Sequence, residues 1–209
     1  MKKNKSKSKK NNLKPLVNFI YETDMLTKTP RSGLWFLGTG KQSVAEHVFR
    51  ASLIAWVLAH LIPGADHKKA IFLCLIHDLG EGRTSDLNYV HQKYGKLAEA
   101  QAIDDIASSL PFGDEIVKAF TEFENKKTIE AKIAKDADQL EWISTLRDQA
   151  AKGNTKASSW LKAAIKRLKT PQAKALGKMM LTTHPDAWYF DEADKWFVDR
   201  SPKLRKWKK

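Results

Sequence analysis

The sequence predicts an all-α fold, a single helical domain, and three observations carry that expectation. Apolar residues recur at spacings of three and four through most of the chain, side chains that cap helices stand just before those runs, and no segment keeps the alternation of a half-buried strand. With 209 residues, one domain can enclose a sizeable core.

Leu13, Leu16, Val17, Ile20, Tyr21 and Met25 fall on one face of a helix expected over 13–27, with Pro15 acceptable in its first turn. Thr29-Pro30-Arg31-Ser32-Gly33 breaks it. Residues 31–41 hold three glycines around Leu34-Trp35-Phe36-Leu37 and read as a loop or short hairpin. Ser43 with Glu46 makes a capping box for a helix through Ala51, Ile54 and Leu58 to Leu61, before Pro63. Asp66 caps the next helix, whose apolar run Ala70–Ile76 ends abruptly in His77-Asp78.

Residues 86–94 read as irregular, followed by helices over 96–110 and 114–124. A long helix opening at Thr128 ends near Gly153-Asn154. Helices over 156–169 and 171–182 follow, the second started by Thr170-Pro171. Trp188, Tyr189, Phe190, Trp196 and Phe197 make 185–200 an aromatic segment expected to pack as a clasp on the body. The organisation is then a basic tail at 1–14, a helical body at 15–182, and an aromatic segment with a second basic tail at 183–209.

A formal charge of +13 invites a nucleic-acid reading, but its location argues otherwise. Residues 1–14 carry seven lysines and 203–209 carry five basic side chains, with no acid in either. Setting these aside leaves 25 basic against 24 acidic residues, a nearly neutral body. The tails are expected to be solvated with weak polyanion affinity, the alternative being a dedicated RNA, DNA or membrane-surface contact. A lone cysteine, Cys74, excludes an internal disulfide and fits a reducing cytosol. The longest apolar stretches, 51–62 and 70–76, are short for a bilayer, and the first residues lack the apolar core of a signal peptide, so no membrane span and a cytoplasmic location are expected.

The chemistry gathers at 77–86. Burying an imidazole beside a carboxylate is costly, so His77-Asp78 is either a satisfied hydrogen bond or half of a metal site. Adjacent helical residues point about 100° apart, so they converge only where the helix opens, and Gly80 and Gly82 are the expected opening. Glu81 and Asp86 crowd the same helix exit. His47 and the acids Asp136 and Asp138 are the candidate partners at a distance, and Asp138, set among apolar positions, is the better inward-facing one.

These residues resemble the HD-domain metal-dependent phosphohydrolases, whose pattern is a lone His, a distant His-Asp pair and a later Asp. Arg31-x-Gly33, Ser43-Val44-Ala45-Glu46-His47, His77-Asp78-x-x-Glu81 with Asp86 following, and Asp138 are more narrowly similar to the small HD 5'-nucleotidases acting on deoxyribonucleoside monophosphates. The likeness spans roughly 13–150. It implies an all-α HD bundle with one divalent transition metal (Mn, Co, Ni, Fe or Zn) on His47, His77, Asp78 and Asp138. It also implies Arg31 on the phosphate, Trp35 on the base or sugar, Glu81 and Asp86 in proton transfer, a nucleotide substrate, and the homodimer that relatives tend to form. Two nitrogen and two oxygen ligands suit a five- or six-coordinate ion better than closed tetrahedral zinc.

Three departures stand out. Ser85 replaces the family's usual Gly, Leu34 intervenes before Trp35, and Gly82-Arg83 is unusual, with Arg83 a candidate second phosphate contact. Other readings are an HD phosphohydrolase for a di- or triphosphate or a cyclic nucleotide, and a polyanion-binding protein with a structural HD centre. On residue type alone, Glu81 and Asp86 would be helix-end caps and Arg31 a surface side chain.

Overall fold

The computed structural model describes residues 13–200. The chain runs α1 (Lys14–Glu22), α2 (Met25–Lys28), α3 (Leu34–Leu37), α4 (Val44–Leu61), α5 (His67–Ile76), α6 (Glu81–Thr84) and α7 (His91–Tyr94). It continues through α8 (Glu99–Ser108), α9 (Gly113–Asn125), α10 (Ile129–Ala151), α11 (Thr155–Ile165), α12 (Pro171–Thr182) and α13 (Lys195–Asp199). The expected all-α class is what forms. Among the described residues the one strand-like feature is an antiparallel bridge between Pro30 and Ser43.

The 23-residue α10 is the axis. It packs against α4, α5, α9, α11 and α12, and Ile133, Ala134, Ala137, Leu140, Ile143 and Leu146 are wholly buried. A helix enclosed on nearly every side buries its polar residues too, and these need partners. Asp136, 1% exposed, accepts from the backbone N–H groups of Lys169 and Thr170 and from the Thr170 hydroxyl at 2.7–2.8 Å, anchoring the start of α12.

The caps read from the sequence hold. Ser43 and Glu46 close a complete capping box on α4, and Asp66, Thr128 and Thr170 cap α5, α10 and α12. Other expectations are corrected. The first helix divides at Thr23-Asp24, where the Thr23 hydroxyl bonds the Ile20 carbonyl and the Thr27 hydroxyl bonds Asp24, local bonds that compete with the helical ladder. Instead of a hairpin, 34–37 forms one helical turn closed by Gly38 at φ 76°. Helix α8 starts at Glu99 rather than 96, α11 stops at Ile165, and the irregular 86–94 contains the turn α7.

Over 188–190 the expected clasp is not seen: Trp188 is 85% exposed, with Tyr189 and Phe190 also exposed, where the chain turns on local bonds about His184 and Asp186, while Trp196 is half-buried. Helix α4, at 18 residues and mean hydropathy 1.2, is long and apolar enough to cross a membrane by length and composition, against the shorter stretches read from the sequence. Here it packs on α5 and α10 and carries His47 into the core. Of the basic tails expected to be solvated, at 1–14 and 203–209, residues 1–12 and 203–209 lie outside the described residues, while Lys14 already belongs to α1.

Candidate active site

Three helices converge on one point. His47 comes from the first turn of α4 and has no solvent exposure. His77 ends α5 as its C-cap, still helical, and Asp78 follows in the turn leading to α6. Asp138 comes from mid-α10. His47, His77 and Asp78 offer ligand atoms all within 4.8 Å of one another, a group able to hold a metal ion. The Oδ1 atom of Asp138 lies 3.4 Å from His47 Nε2, on the same side as Asp78 Oδ2 at 3.5 Å.

Each imidazole is fixed through its far nitrogen. His47 Nδ1 lies 2.7 Å from Glu141 Oε2, and His77 Nδ1 lies 2.7 Å from the Cys74 carbonyl, a partner that only accepts. That contact sets the His77 tautomer, leaving a lone pair on Nε2. Both Nε2 atoms are buried without a hydrogen-bond partner. His77 Nε2 is 3.1 Å from Asp78 Oδ2, so two imidazole nitrogens and two carboxylates converge without well-formed hydrogen bonds among them, the mixed nitrogen and oxygen donor set that fits a divalent metal.

The electrostatics agree. Burial and the Arg31 charge press His47 toward neutrality, but Asp138, Glu141 and Asp78 outweigh them and lift its pKa to about 9. Burial would raise Asp78 and Asp138, yet His77, His47 and Arg31 around the first, and Lys135 and the two histidines around the second, hold both carboxyls well below the usual range. Glu81 goes the other way. Burial first, then the charges of Asp78 and Asp86, push it up to about 10 against the pull of Arg31, and its Oε2 is buried without a partner.

The cluster lies at the side of a cleft of about 800 Å3, lined also by Arg31, Glu81, Asp86, Phe36, Lys135, Gln139, Trp142, Trp160 and Arg167. Arg31 Nη1 is 3.3 Å from Asp78 Oδ2 and 3.8 Å from Asp86 Oδ1. Asp86 Oδ2 accepts from the backbone N–H of Ser32 at 2.6 Å and from its hydroxyl, so the 29–33 loop and the 85–88 turn are tied together. Lys135 Nζ is 3.0 Å from Asp138 Oδ2.

Structure thus brings together seven of the eight residues singled out in the sequence: Arg31, His47, His77, Asp78, Glu81, Asp86 and Asp138. Trp35 is the correction: it does not line the cleft, is 60% exposed, and sets its ring edge-on to His91, while Phe36 takes the lining position. Leu34 and Leu37 take the buried positions of this one-turn helix, which leaves Trp35 on its exposed side. Arg83 is committed to Glu22, with two contacts to its carboxylate, and is not a cleft residue.

Gly80 adopts ordinary helical angles, and its need is space: a Cβ there would meet the Glu99 carbonyl at 3.2 Å. A positive φ with extended ψ falls on Ser85, at φ 75° and ψ 164°, so the turn keeps a glycine-like shape although serine occupies it. Sequence reasoning missed Lys135 and Glu141. Lys135 had a signal, since it lies three residues before Asp138 on the same helical face. Glu141, with no solvent exposure, was legible only as one more acid on α10.

An all-α bundle with a His/Asp cluster able to hold a metal ion between its helices defines the class, a helical domain with a candidate metal centre. The model of the HD domain matches residues 23–180, and the chain belongs to the HD-domain family. It is similar to the 5'-deoxynucleotidase HDDC2 of Danio rerio, 29% identical over 135 residues, and to that of Dictyostelium discoideum, 36% identical over 115. Those alignments take in 61% and 49% of this chain and 66% and 60% of the relatives, so the chain spans somewhat under two thirds of their length. Among solved structures, a conserved hypothetical protein of Pyrococcus furiosus superposes at a TM-score of 0.68, with 27% identity over 80% of this chain and 99% of that one.

Proposed function

We propose that the chain is a metal-dependent phosphomonoesterase that releases phosphate from nucleoside 5'-monophosphates, deoxy forms among them. The observation that carries this is the convergence of the His47 and His77 Nε2 atoms on Asp78 and Asp138, beside a cleft that also holds Arg31 and Lys135. The names of the two HDDC2 relatives support the reading.

His47, His77, Asp78 and Asp138 would hold one divalent ion, with Mn, Co, Ni, Fe and Zn as candidates. When bound it supplies Lewis acidity toward a phosphate oxygen and makes a water more acidic. Arg31 and Lys135 meet the phosphate dianion, which otherwise could not approach this many carboxylates. Glu81 keeps a proton at its carboxyl near neutral pH and delivers it to the leaving 5' oxygen. Asp86, held by Ser32, aims Arg31 and offers its other oxygen to the attacking water. Phe36, Trp142 and Trp160 provide apolar walls for sugar and base, and Gln139 Oε1, a buried acceptor without a partner, faces the base.

Exposed Leu53, Trp56, Val57 and Leu61 form a stripe along α4 that suits a second copy of the chain. The basic tails add weak polyanion contact, and the free, buried Cys74 fits a cytoplasmic location.

The test is phosphate release from ribo- and deoxyribonucleoside mono-, di- and triphosphates by metal-stripped protein resupplied with single metals. Release from monophosphates that needs metal and is lost in Asp78→Ala supports the proposal. Release only from di- or triphosphates, or silence with metal bound, overturns it.

A further inference from the structure

A second cavity of about 840 Å3, formed by the 40–42 loop, α4, α10 and the chain after α12, shares no lining residue with the cleft. Three basic side chains line it: Lys41, Arg50 and Arg147. Neither Lys41 nor Arg147 has an ion-pair partner among the described residues, and Arg147 Nε is buried without a hydrogen-bond partner. The two lining carboxylates do not answer them. Glu46 Oε2 is taken by the Ser43 N–H and hydroxyl at 2.6 and 2.8 Å, and Asp148 Oδ2 by Lys152 and Gln149 at 2.7 and 3.1 Å. Glu46 keeps its charge but faces Arg50, so Lys41 and Arg147 are the lining cations left without ion-pair partners, and a guanidinium and an ammonium on one cavity suit a phosphate. Trp188 sits on the same wall, 85% exposed, its ring meeting Tyr189 in an edge arrangement at 4.8 Å, and an exposed indole can stack a planar ring.

We propose that this cavity is a second ligand site, distinct from the catalytic cleft, that takes a nucleoside phosphate, its phosphate on Lys41 and Arg147 and its base against Trp188. The position of Arg50 makes the site regulatory. Arg50, Gln42 and Thr145 all line the cavity and all meet Glu141 Oε1: Arg50 as an ion pair at 2.7 Å, Gln42 and Thr145 as hydrogen-bond donors at 2.8 and 3.0 Å. The other oxygen of Glu141 holds His47 Nδ1. An anion beside Arg50 draws on the charge that neutralises Glu141, which then accepts more strongly from His47 and makes His47 Nε2 a better donor to an ion. Ligand and metal should therefore strengthen each other by the same factor. The site itself is independent of the reaction proposed for the cleft, whereas its link to His47 rests on that metal centre.

Equilibrium binding of AMP, dAMP, ADP and ATP to the metal-stripped full chain tests this, with adenosine and inorganic phosphate as half-ligands. At least one nucleotide should bind more tightly than either half. Affinity should fall at least about tenfold in Lys41→Ala/Arg147→Ala and several-fold in Trp188→Ala, a surface change that spares the body, while Arg31→Ala leaves it intact. Adding Mn2+ should tighten binding, with metal affinity rising equally when nucleotide is present. The proposal is overturned if no nucleotide binds, if phosphate or adenosine binds as well as the nucleotide, or if Arg31→Ala abolishes binding and the cavity variants do not. It fails as a regulatory site if metal and nucleotide affinities are independent. Phosphate-release assays read the cleft separately, so failure of one proposal leaves the other standing.

Discussion

Replacing Glu141 with Gln keeps the shape of the side chain and removes its charge. In the native protein that carboxylate has no solvent exposure, holds His47 Nδ1 at 2.7 Å, and takes Arg50, Gln42 and Thr145 on its other oxygen. Loss of a carboxylate behind a ligand histidine lowers metal affinity by about 10- to 100-fold. Loss of charge-assisted hydrogen bonds costs about 1–3 kcal/mol of metal-free stability, toward the lower end because Arg50 keeps 42% of its side chain exposed and can rehydrate. The pH behaviour separates this role from mere packing. Burial raises the Glu141 carboxyl, but His47, Arg50 and Gln42 bring it below its ordinary 4.5, so its stabilisation is present above that pH and lost as pH falls through the lowered value. Glu141→Gln should lose that part of the acid limb. It should also lower the pH at which metal binding levels off, because Glu141 is one of the carboxylates lifting His47. Competition with a chelating dye across pH, beside thermal melts of stripped protein, measures both. A metal affinity within about threefold of wild type, with a superimposable pH profile, would refute the role assigned to Glu141.

Four further outcomes are expected. In the parent protein, metal affinity should climb with pH and level near 9, because a proton on His47 competes with the ion and its pKa is raised to about that value; a flat profile between pH 6 and 9 contradicts this. Asp136→Ala should lower stability by about 2–4 kcal/mol with metal content unchanged, since three donors at the start of α12 lose their acceptor, while Asp138→Asn should lose metal. Calorimetric melts with metal analysis would show if the two acids behave alike, which would sink the distinction. Glu81→Gln should retain metal and lose turnover by at least about 100-fold; comparable phosphate release would remove Glu81 from proton transfer. Ser85→Gly should stabilise the protein by about 1 kcal/mol, because relief of a serine held at positive φ outweighs the added freedom of the unfolded chain; a lowered melting temperature would contradict it.

Much of the architecture was legible because its signals are local. A capping box needs only Ser43 and Glu46, and a helix start only Thr170-Pro171, so those boundaries held to within a residue or so. The first helix broke elsewhere because side-chain-to-backbone bonds at Thr23 and Asp24 compete with the helical ladder within one turn. The aromatic segment was misjudged because composition says that five large rings could pack, not whether a surface waits for them.

The site divides along the same line. His47, His77-Asp78, Glu81 and Asp138 stood out by residue type and order, since ionisable groups at the end of apolar helical runs need an explanation that the chain itself poses. What only the tertiary structure decided is who answers them. Glu141 reaches His47 across 94 residues and Ser32 reaches Asp86 across 54, and Asp136 and Asp138, two apart on one helix, are turned to different tasks by the helices packed around α10. A buried charge is settled by whatever lies within about 3 Å of it, and distance along the chain carries no information about that.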